Sequence, residues 1–213
     1  MRIEITNLSK KFGKHIIFDD FNLIIEEGKM TCLYGASGCG KTTILNILGL
    51  VEPYDSGKIT YNGKVINNRK NRINFLRNDV GFIFQDFGLL ENETVWENMQ
   101  IVYKIKKMKD AKKYIEQVLN DLNLQDMLYR KVYELSGGEQ QRVAIAKMIL
   151  KDPDLILADE PTASLDDENK QIVLSMLRML QQKGKTIIIV SHDDQVRNFA
   201  DIAINLTGGI VNE

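Results

Sequence analysis

The segment Gly35–Thr42, Gly-Ala-Ser-Gly-Cys-Gly-Lys-Thr, constrains this chain more than any other part of it. It follows a short apolar run, Met30–Tyr34, and opens a segment, Thr42–Leu48, whose apolar residues recur at helical spacing. Glycines at such positions let successive backbone N–H groups turn toward one anion. The N-terminus of the following helix adds its partial positive charge at the same point. In this pattern Lys41 reaches β- and γ-phosphates, and the Thr42 hydroxyl is a ligand for Mg²⁺. A tight glycine turn before an ordinary helix would need neither the lysine nor the threonine.

Three further apolar runs have the length and composition of buried parallel strands: Val80–Phe84, Leu155–Ala158 and Thr186–Val190. Each ends on a polar group, respectively Gln85, Asp159-Glu160 and Ser191-His192. Ligands of open α/β sheets bind beyond the carboxyl ends of the strands. Four chemical groups at four strand ends therefore predict one site. Pro161 diverts the chain just past the carboxylates. Asp159 suits Mg²⁺, which takes oxygen ligands and keeps waters. Glu160 is then placed to orient and deprotonate an attacking water.

The N-terminal part alternates differently. Ile3 and Ile5, then Phe18, Phe21, Leu23 and Ile25, fall in short segments split by Gly13 and Gly28, which predicts an antiparallel β region. Lys58–Tyr61 and Lys64–Ile66 flank Asn62-Gly63, a hairpin signal. Between Gln85 and the last two strands, Thr94–Lys107 and Asp110–Leu122 carry helical periodicity. The expected organisation is a single domain over 1–213. Segments 1–91 and 151–213 form the α/β core with its β subdomain, and 92–150 forms an inserted helical subdomain.

Within that insert, Leu135-Ser136-Gly137-Gly138-Glu139-Gln140-Gln141 precedes the apolar run Val143–Leu150. Ser136 and Glu139 have the spacing of a capping box, so an ordinary helix start explains those two residues. It does not explain two glycines between them, which would let backbone N–H groups approach an anion. One chain holds one nucleotide on its own phosphate loop. A second phosphate-reading loop points to a nucleotide held by another chain.

The bulk properties exclude several classes. With a formal net charge of −1, no global basic field argues for nucleic acid. Cys32 and Cys39 make neither a disulfide framework nor a zinc pattern, as expected of reduced thiols. No apolar run approaches the ~20 residues that span a bilayer, and MRIEITNLSK lacks the apolar core of a signal peptide. A cytoplasmic chain is expected, with any membrane role supplied by a partner. Asp86-Phe87-Gly88 spells the metal-binding motif of protein kinases, but no His-Arg-Asp catalytic loop accompanies it. Phe87, Leu89 and Leu90 are either core residues or a surface beside Gln85 where a membrane partner docks. Lys104, Lys106, Lys107, Lys109, Lys112 and Lys113 form a basic run, read as a solvated helix face rather than a lipid contact.

Taken in order, GASGCGKT, Gln85, LSGGEQQR (Leu135–Arg142), LILADE (Leu155–Glu160), SLD (Ser164–Asp166) and His192 resemble the ATP-binding subunits of ABC transporters, over essentially the whole chain. The resemblance implies a P-loop NTPase of ABC ATPase type: a parallel core sheet, an N-terminal antiparallel β subdomain and an inserted α-helical subdomain. It implies ATP and Mg²⁺ as cofactors and a head-to-tail dimer with each ATP sandwiched between two copies. Nucleotide contacts would come from Gly35, Ala36, Ser37, Gly38, Cys39, Gly40, Lys41, Thr42 and Thr43 of one copy, and from Ser136, Gly137 and Gly138 of the other. Phe12 stands where an aromatic, more often tyrosine, stacks on adenine; an ordinary core phenylalanine is the other reading. Thr42, Gln85 and Asp159 would hold the metal. Lys41, Gln85, Glu160 and His192 would act in hydrolysis, and Asp166 would link the two sites across the dimer. His15 is read as structural or surface. The wording ELSGGEQQRVAIA and ADEPT-x-x-LD is most similar to the lipoprotein-release, macrolide-export and bacteriocin-export branch. Ala163-Ser164 stands where that branch commonly has Gly-Asn. A separate integral-membrane permease is the implied partner, with the chain peripheral on the inner face of the cell membrane. Amino-acid import, cell division and mechanotransmission use similar cassettes. A translation factor would carry two cassettes, and a chromosome-organising ATPase a long coiled coil between Lys41 and Ser136. The C-terminal regulatory domain of some importers is not expected after the last predicted strand.

Overall fold

The structure is a computed structural model and describes residues 1–106, 111–163, 165–207 and 210–212. Ser164, and Lys107 and Lys109 of the basic run, lie outside the described residues. In chain order the elements are β1 (Ile3–Phe12), β2 (His15–Ile25), β3 (Met30–Tyr34), α1 (Lys41–Leu48), β4 (Ser56–Tyr61), α2 (Arg69–Asn74), β5 (Val80–Ile83), α3 (Val95–Lys106), α4 (Ala111–Asp121), α5 (Gly137–Lys151), β6 (Leu155–Asp159), α6 (Asp167–Gln182), β7 (Thr186–Val190), α7 (Asp194–Phe199), β8 (Ile202–Thr207) and β9 (Ile210–Asn212).

Two sheets result. The smaller is antiparallel, in the order β2-β1-β4. The larger runs β5-β6-β7-β3-β8-β9, parallel throughout except for β9. All four expected parallel strands are present, and β8 extends the sheet beyond them. The strands are apolar along their whole length because both faces are covered. Leu155, Leu157, Ile188 and Val190 pack with α1 and the small sheet. Ile156, Ala158, Ile187 and Ile189 pack with α3, α4, α5 and α6. Successive strand residues point to opposite faces, so one run of five serves two cores.

The helical stretch docks on the second face through Val95, Met99, Ile115, Val118, Val143 and Ile145. α3 starts at a reciprocal cap: the Thr94 backbone N–H donates to Glu97 Oε2 at 2.8 Å, and the Glu97 N–H to Thr94 Oγ1 at 3.2 Å. Lys104, Lys112 and Lys113 are exposed, and Lys112 reaches Glu116 at 3.8 Å, which fits the solvated face.

The expected hairpin over 58–66 does not form. Asn62 and Gly63 make a tight turn with φ of 48° and 75°. Beyond it Tyr61 and Lys64 meet only at an isolated bridge. β4 pairs instead with β1, placing Ile3 opposite Tyr61 and Ile5 opposite Ile59. That pairing buries Ile59 and Tyr61, whereas Lys64–Ile66 offers no matching apolar face, and Asn68 soon caps α2.

Candidate functional site

The four strands marked by the sequence are consecutive neighbours, in the order β5, β6, β7, β3. Neighbouring strands lie about 4.8 Å apart, so their carboxyl ends form a row about 14 Å long. Gln85 stands beyond β5, Asp159 and Glu160 at the end of β6, Ser191 and His192 beyond β7, and Gly35–Thr42 beyond β3.

The loop after β3 enters α1 at Gly40, whose φ is 99°. A Cβ at Gly40 would come within 2.6 Å of Ile17 and 2.7 Å of Phe18. Conformation and close packing together require glycine there. α1 has no side-chain N-cap and no acid in its first turn. Its leading N–H groups and its dipole therefore face the loop unneutralised. Ala36, Ser37, Gly38 and Thr42 are exposed, while Gly35, Cys39, Lys41 and Thr43 are half-buried. Lys41 Nζ donates to the carbonyl oxygens of Gly35 and Ala36 at 2.9 and 3.0 Å. The ammonium is thus folded back over the loop.

At β6, burial raises the pKa of Asp159, and a hydrogen bond from the Thr42 hydroxyl partly offsets this. Glu160 adopts φ 46°, unusual for a residue with a side chain. Its N–H donates to the Val190 carbonyl at 2.9 Å, and the twist carries its carboxylate to the end of β7. Oε2 accepts from Ser191 Oγ at 3.1 Å, and Oε1 meets His192 Nδ1 at 2.7 Å. An ionised glutamate only accepts, so His192 carries its proton on Nδ1 and keeps Nε2 for a second partner. The Glu160 side chain is 14% exposed and that of His192 73%. The carboxylate is held inside and the imidazole reaches out. Ser191, 1% exposed, also accepts from the Asp193 N–H at 3.1 Å. Sequence reasoning gives Ser191 no role. Its only sequence signal is its place between the end of a buried strand and His192.

Other expected site residues stand apart. Gln85 is exposed and makes no hydrogen bond to Thr42, Asp159 or Glu160 among the described residues. Phe12 is 47% exposed, which rules out a core role, and Lys10 Nζ lies 4.4 Å from its ring centroid. Ser136 is exposed and caps α5: the Glu139 N–H donates to Ser136 Oγ at 3.3 Å, and the Ser136 N–H to Glu139 Oε2 at 2.7 Å. The capping box is real, and it leaves Gly137 half-buried and Gly138 buried between its members. Asp166 caps α6, accepting the Asn169 N–H at 2.8 Å. Leu90 is 52% exposed, Phe87 is half-buried, and Leu89 packs against the helical core, so this segment is part surface and part core. His15 is exposed. Cys32 is a buried free thiol whose pKa burial pushes up to about 12, and Cys39 is likewise free.

A small cleft of ≈ 120 Å³ lies among Tyr34, Gly35, His192, Asp193, Asp194 and Arg197. Closed sites for a ligand of nucleotide size occupy roughly 300 Å³ or more, so this cleft is only part of one. A larger groove of ≈ 1240 Å³, along β1, β2 and β8, is lined by none of the residues above. One chain therefore gathers a cationic phosphate loop, two hard oxygen donors and a carboxylate gripped at both oxygens. Ser136–Gly138 and Asp166 stand instead at the starts of α5 and α6.

The sequence model of one protein family, described as ABC transporter, matches residues 18–163. The lipoprotein-releasing system ATP-binding protein LolD of Porphyromonas gingivalis is 38% identical over 217 residues, covering 99% of this chain and 99% of LolD. The macrolide export ATP-binding/permease protein MacB of Campylobacter jejuni is also 38% identical, with 97% of this chain matching 33% of MacB. The L-cystine import ATP-binding protein TcyN of Bacillus subtilis is 37% identical, over 99% of this chain and 84% of TcyN. Among solved structures, a dimeric structure of MJ0796, described as a bacterial ABC transporter cassette, has a TM-score of 0.88 at 32% identity, covering 99% of this chain and 97% of that one. A second dimeric structure of MJ0796, a post-hydrolysis state bound to ADP and Pi, has the same TM-score.

Proposed function

The chain belongs to the ABC transporter family of ATP-binding proteins, and on that premise we propose that it is the ATP-hydrolysing subunit driving a separate membrane permease, in the lipoprotein-release and macrolide-export branch. The observation that carries the catalytic reading is the two-point grip of Ser191 and His192 on Glu160, beside the loop that carries Lys41. A carboxylate fixed at both oxygens next to a phosphate-binding loop is a base aimed at one place.

The backbone of Gly35–Thr43 and the Lys41 ammonium bind the β- and γ-phosphates, and the exposed ring of Phe12 stacks on adenine. Thr42 and Asp159 suit Mg²⁺, because they offer a hydroxyl and a carboxylate whose burial disfavours an uncompensated charge. Gln85 would add an amide oxygen from the neighbouring strand end. Mg²⁺, when bound, offsets the phosphate charge. Glu160 takes a proton from water as the water oxygen bonds the γ-phosphorus and the bond from that phosphorus to the bridging oxygen of ADP breaks. Ser191 and His192 keep the carboxylate turned toward that water, and His192 Nε2 faces the γ-phosphate.

The site is completed by a second copy, head to tail. Its Ser136–Gly138 segment, at the start of α5 with Ser136 exposed, closes over the nucleotide, and its Asp166 loop links the two sites. No described helix is long and apolar enough to cross a membrane. We place the chain on the inner face of the cell membrane through its permease. Exposed Phe84, Leu90 and Tyr133 beside Gln85 are the docking surface. Tyr133 reaches that segment through its N–H, which donates to the Glu91 carbonyl at 3.2 Å.

The test is Glu160→Gln. This substitution is isosteric and removes the base while keeping hydrogen-bonding capacity. We expect MgATP binding to persist, turnover to cease and an ATP-bound dimer to accumulate on gel filtration. Continued hydrolysis with only monomer present would refute the assignment.

A further inference from the structure

We propose that Asn169 is a positioning residue that locks the Ser136–Gly138 loop and the Asp166 turn into one rigid unit, and that Gly138 is glycine because the Asn169 amide occupies the place of its side chain. The inference rests on the two-copy reading above, in which those two loops are what one subunit offers to its partner's nucleotide.

Asn169 lies in the first turn of α6. Its Nδ2 donates to both Asp166 oxygens, at 3.0 and 2.9 Å. Its Oδ1 accepts from Arg142 Nη1 at 3.0 Å, across 27 residues of chain. One amide thus bridges an anion on one loop and a cation on α5, with its dipole aligned to both. The Arg142 Nε is buried with no hydrogen-bond partner among the described residues. Losing the Asn169 bond would leave that guanidinium poorly compensated in a partly buried place.

The two loop glycines are not equivalent. A Cβ on Gly137 would meet nothing closer than 3.9 Å. A Cβ on Gly138 would lie 2.3 Å from Asn169 Oδ1 and 2.5 Å from its Cγ. A side-chain amide ordinarily swings away at little cost. This one is pinned at both ends, so it yields only by releasing Asp166 and Arg142. A methyl on Gly137 would thus sit in ordinary contact with Leu165 and Phe87, with no clash. Gly138 serves contact within the subunit, and it makes the capped start of α5 and the start of α6 move together. Fixed spacing between two groups that meet one transition state is worth rate rather than ground-state affinity. Asn169 makes no hydrogen bond to the phosphate loop of its own chain.

A double-mutant cycle on the full chain tests this, using Gly138→Ala, Asn169→Ala and their combination. Asn169→Ser provides a second cycle if the alanine variant folds poorly. Each single change should lower kcat about tenfold, with the affinity for a fluorescent ATP analogue unchanged. In the Asn169→Ala background the added methyl enters vacated space, so Gly138→Ala should cost less than about twofold more. Thermal melts should show the same non-additivity. Equal costs of Gly138→Ala in both backgrounds, in rate and in melting temperature, would overturn the proposal. Melting is read without nucleotide, so the coupling is judged even if the two-copy reading fails. That failure would show separately, as a Glu160→Gln chain that stays monomeric in ATP.

Discussion

Ser191→Ala isolates one half of the grip on Glu160. The Ser191 hydroxyl donates to Glu160 Oε2 at 3.1 Å and accepts from the Asp193 N–H at 3.1 Å. A hydrogen bond to a charged acceptor contributes about 1.5–3 kcal/mol. With a factor of ten for about every 1.4 kcal/mol, complete loss from the transition state would slow turnover roughly 10- to 100-fold. The His192 contact at 2.7 Å survives the substitution and still restrains the carboxylate. The lower end, about tenfold, is therefore the expected fall in kcat. The affinity for MgATP should not change, because Ser191 makes no hydrogen bond to the phosphate loop. The Asp193 N–H also loses its acceptor at the start of α7, costing about 1 kcal/mol and 2–4 °C in melting temperature. The assay is steady-state phosphate release at saturating ATP, with nucleotide affinity and melting temperature measured on the same preparation. A kcat within twofold of the parent, with the serine hydroxyl gone and the protein folded, would refute the claim that this bond aims the base.

Two other substitutions probe the metal and phosphate contacts. Lys41→Ala should weaken MgATP binding by about two orders of magnitude, the loss of a charge-assisted phosphate contact, while the melting temperature without nucleotide barely moves; equilibrium binding checks this, and unchanged affinity would refute it. Asp159→Asn should abolish hydrolysis yet melt no lower than the parent at pH 7. Burial raises the Asp159 pKa in the folded state, so the folded chain holds that proton more tightly than the unfolded one. The stability tied to this group is then greatest below its unfolded pKa and declines as pH rises from there through the folded pKa. Asparagine cannot ionise and escapes that decline, so its advantage in thermal scans should be larger at pH 7 than at pH 4. The opposite trend would show that the carboxylate is stabilised by its surroundings.

Much of the catalytic row is legible in the amino-acid sequence, since each functional group is covalently adjacent to the strand that delivers it. Lys41 follows β3 by a glycine loop, Asp159 ends β6, and His192 follows β7 after one residue. Hydrophobic runs of five residues are hard to mistake once turn residues bound them. The hairpin expected at 58–66 fails because Asn-Gly specifies a turn and says nothing of what the next strand pairs with. β8 is harder to see as a core strand, because Ile202, Ile204 and Leu206 alternate with Ala203 and Asn205, unlike the continuous runs of its neighbours. Ser191 is marked only by its place at a strand end, because a serine there carries no specific role until Glu160 is seen to turn toward it.

The sequence by itself indicated which chemical groups stand at the strand ends and that Gly35–Thr42 is a glycine-rich segment leading into a helix, as an anion cradle requires. Those are requirements of local backbone geometry and need only neighbouring residues. Only the tertiary structure decided that β5, β6, β7 and β3 lie side by side, that Glu160 is gripped from β7, and that Gly138 is filled by Asn169. Each of these joins residues far apart in the chain, and packing alone brings them within hydrogen-bonding reach. The same packing sets Ser136–Gly138 at the start of α5, with Ser136 exposed and Gly138 buried.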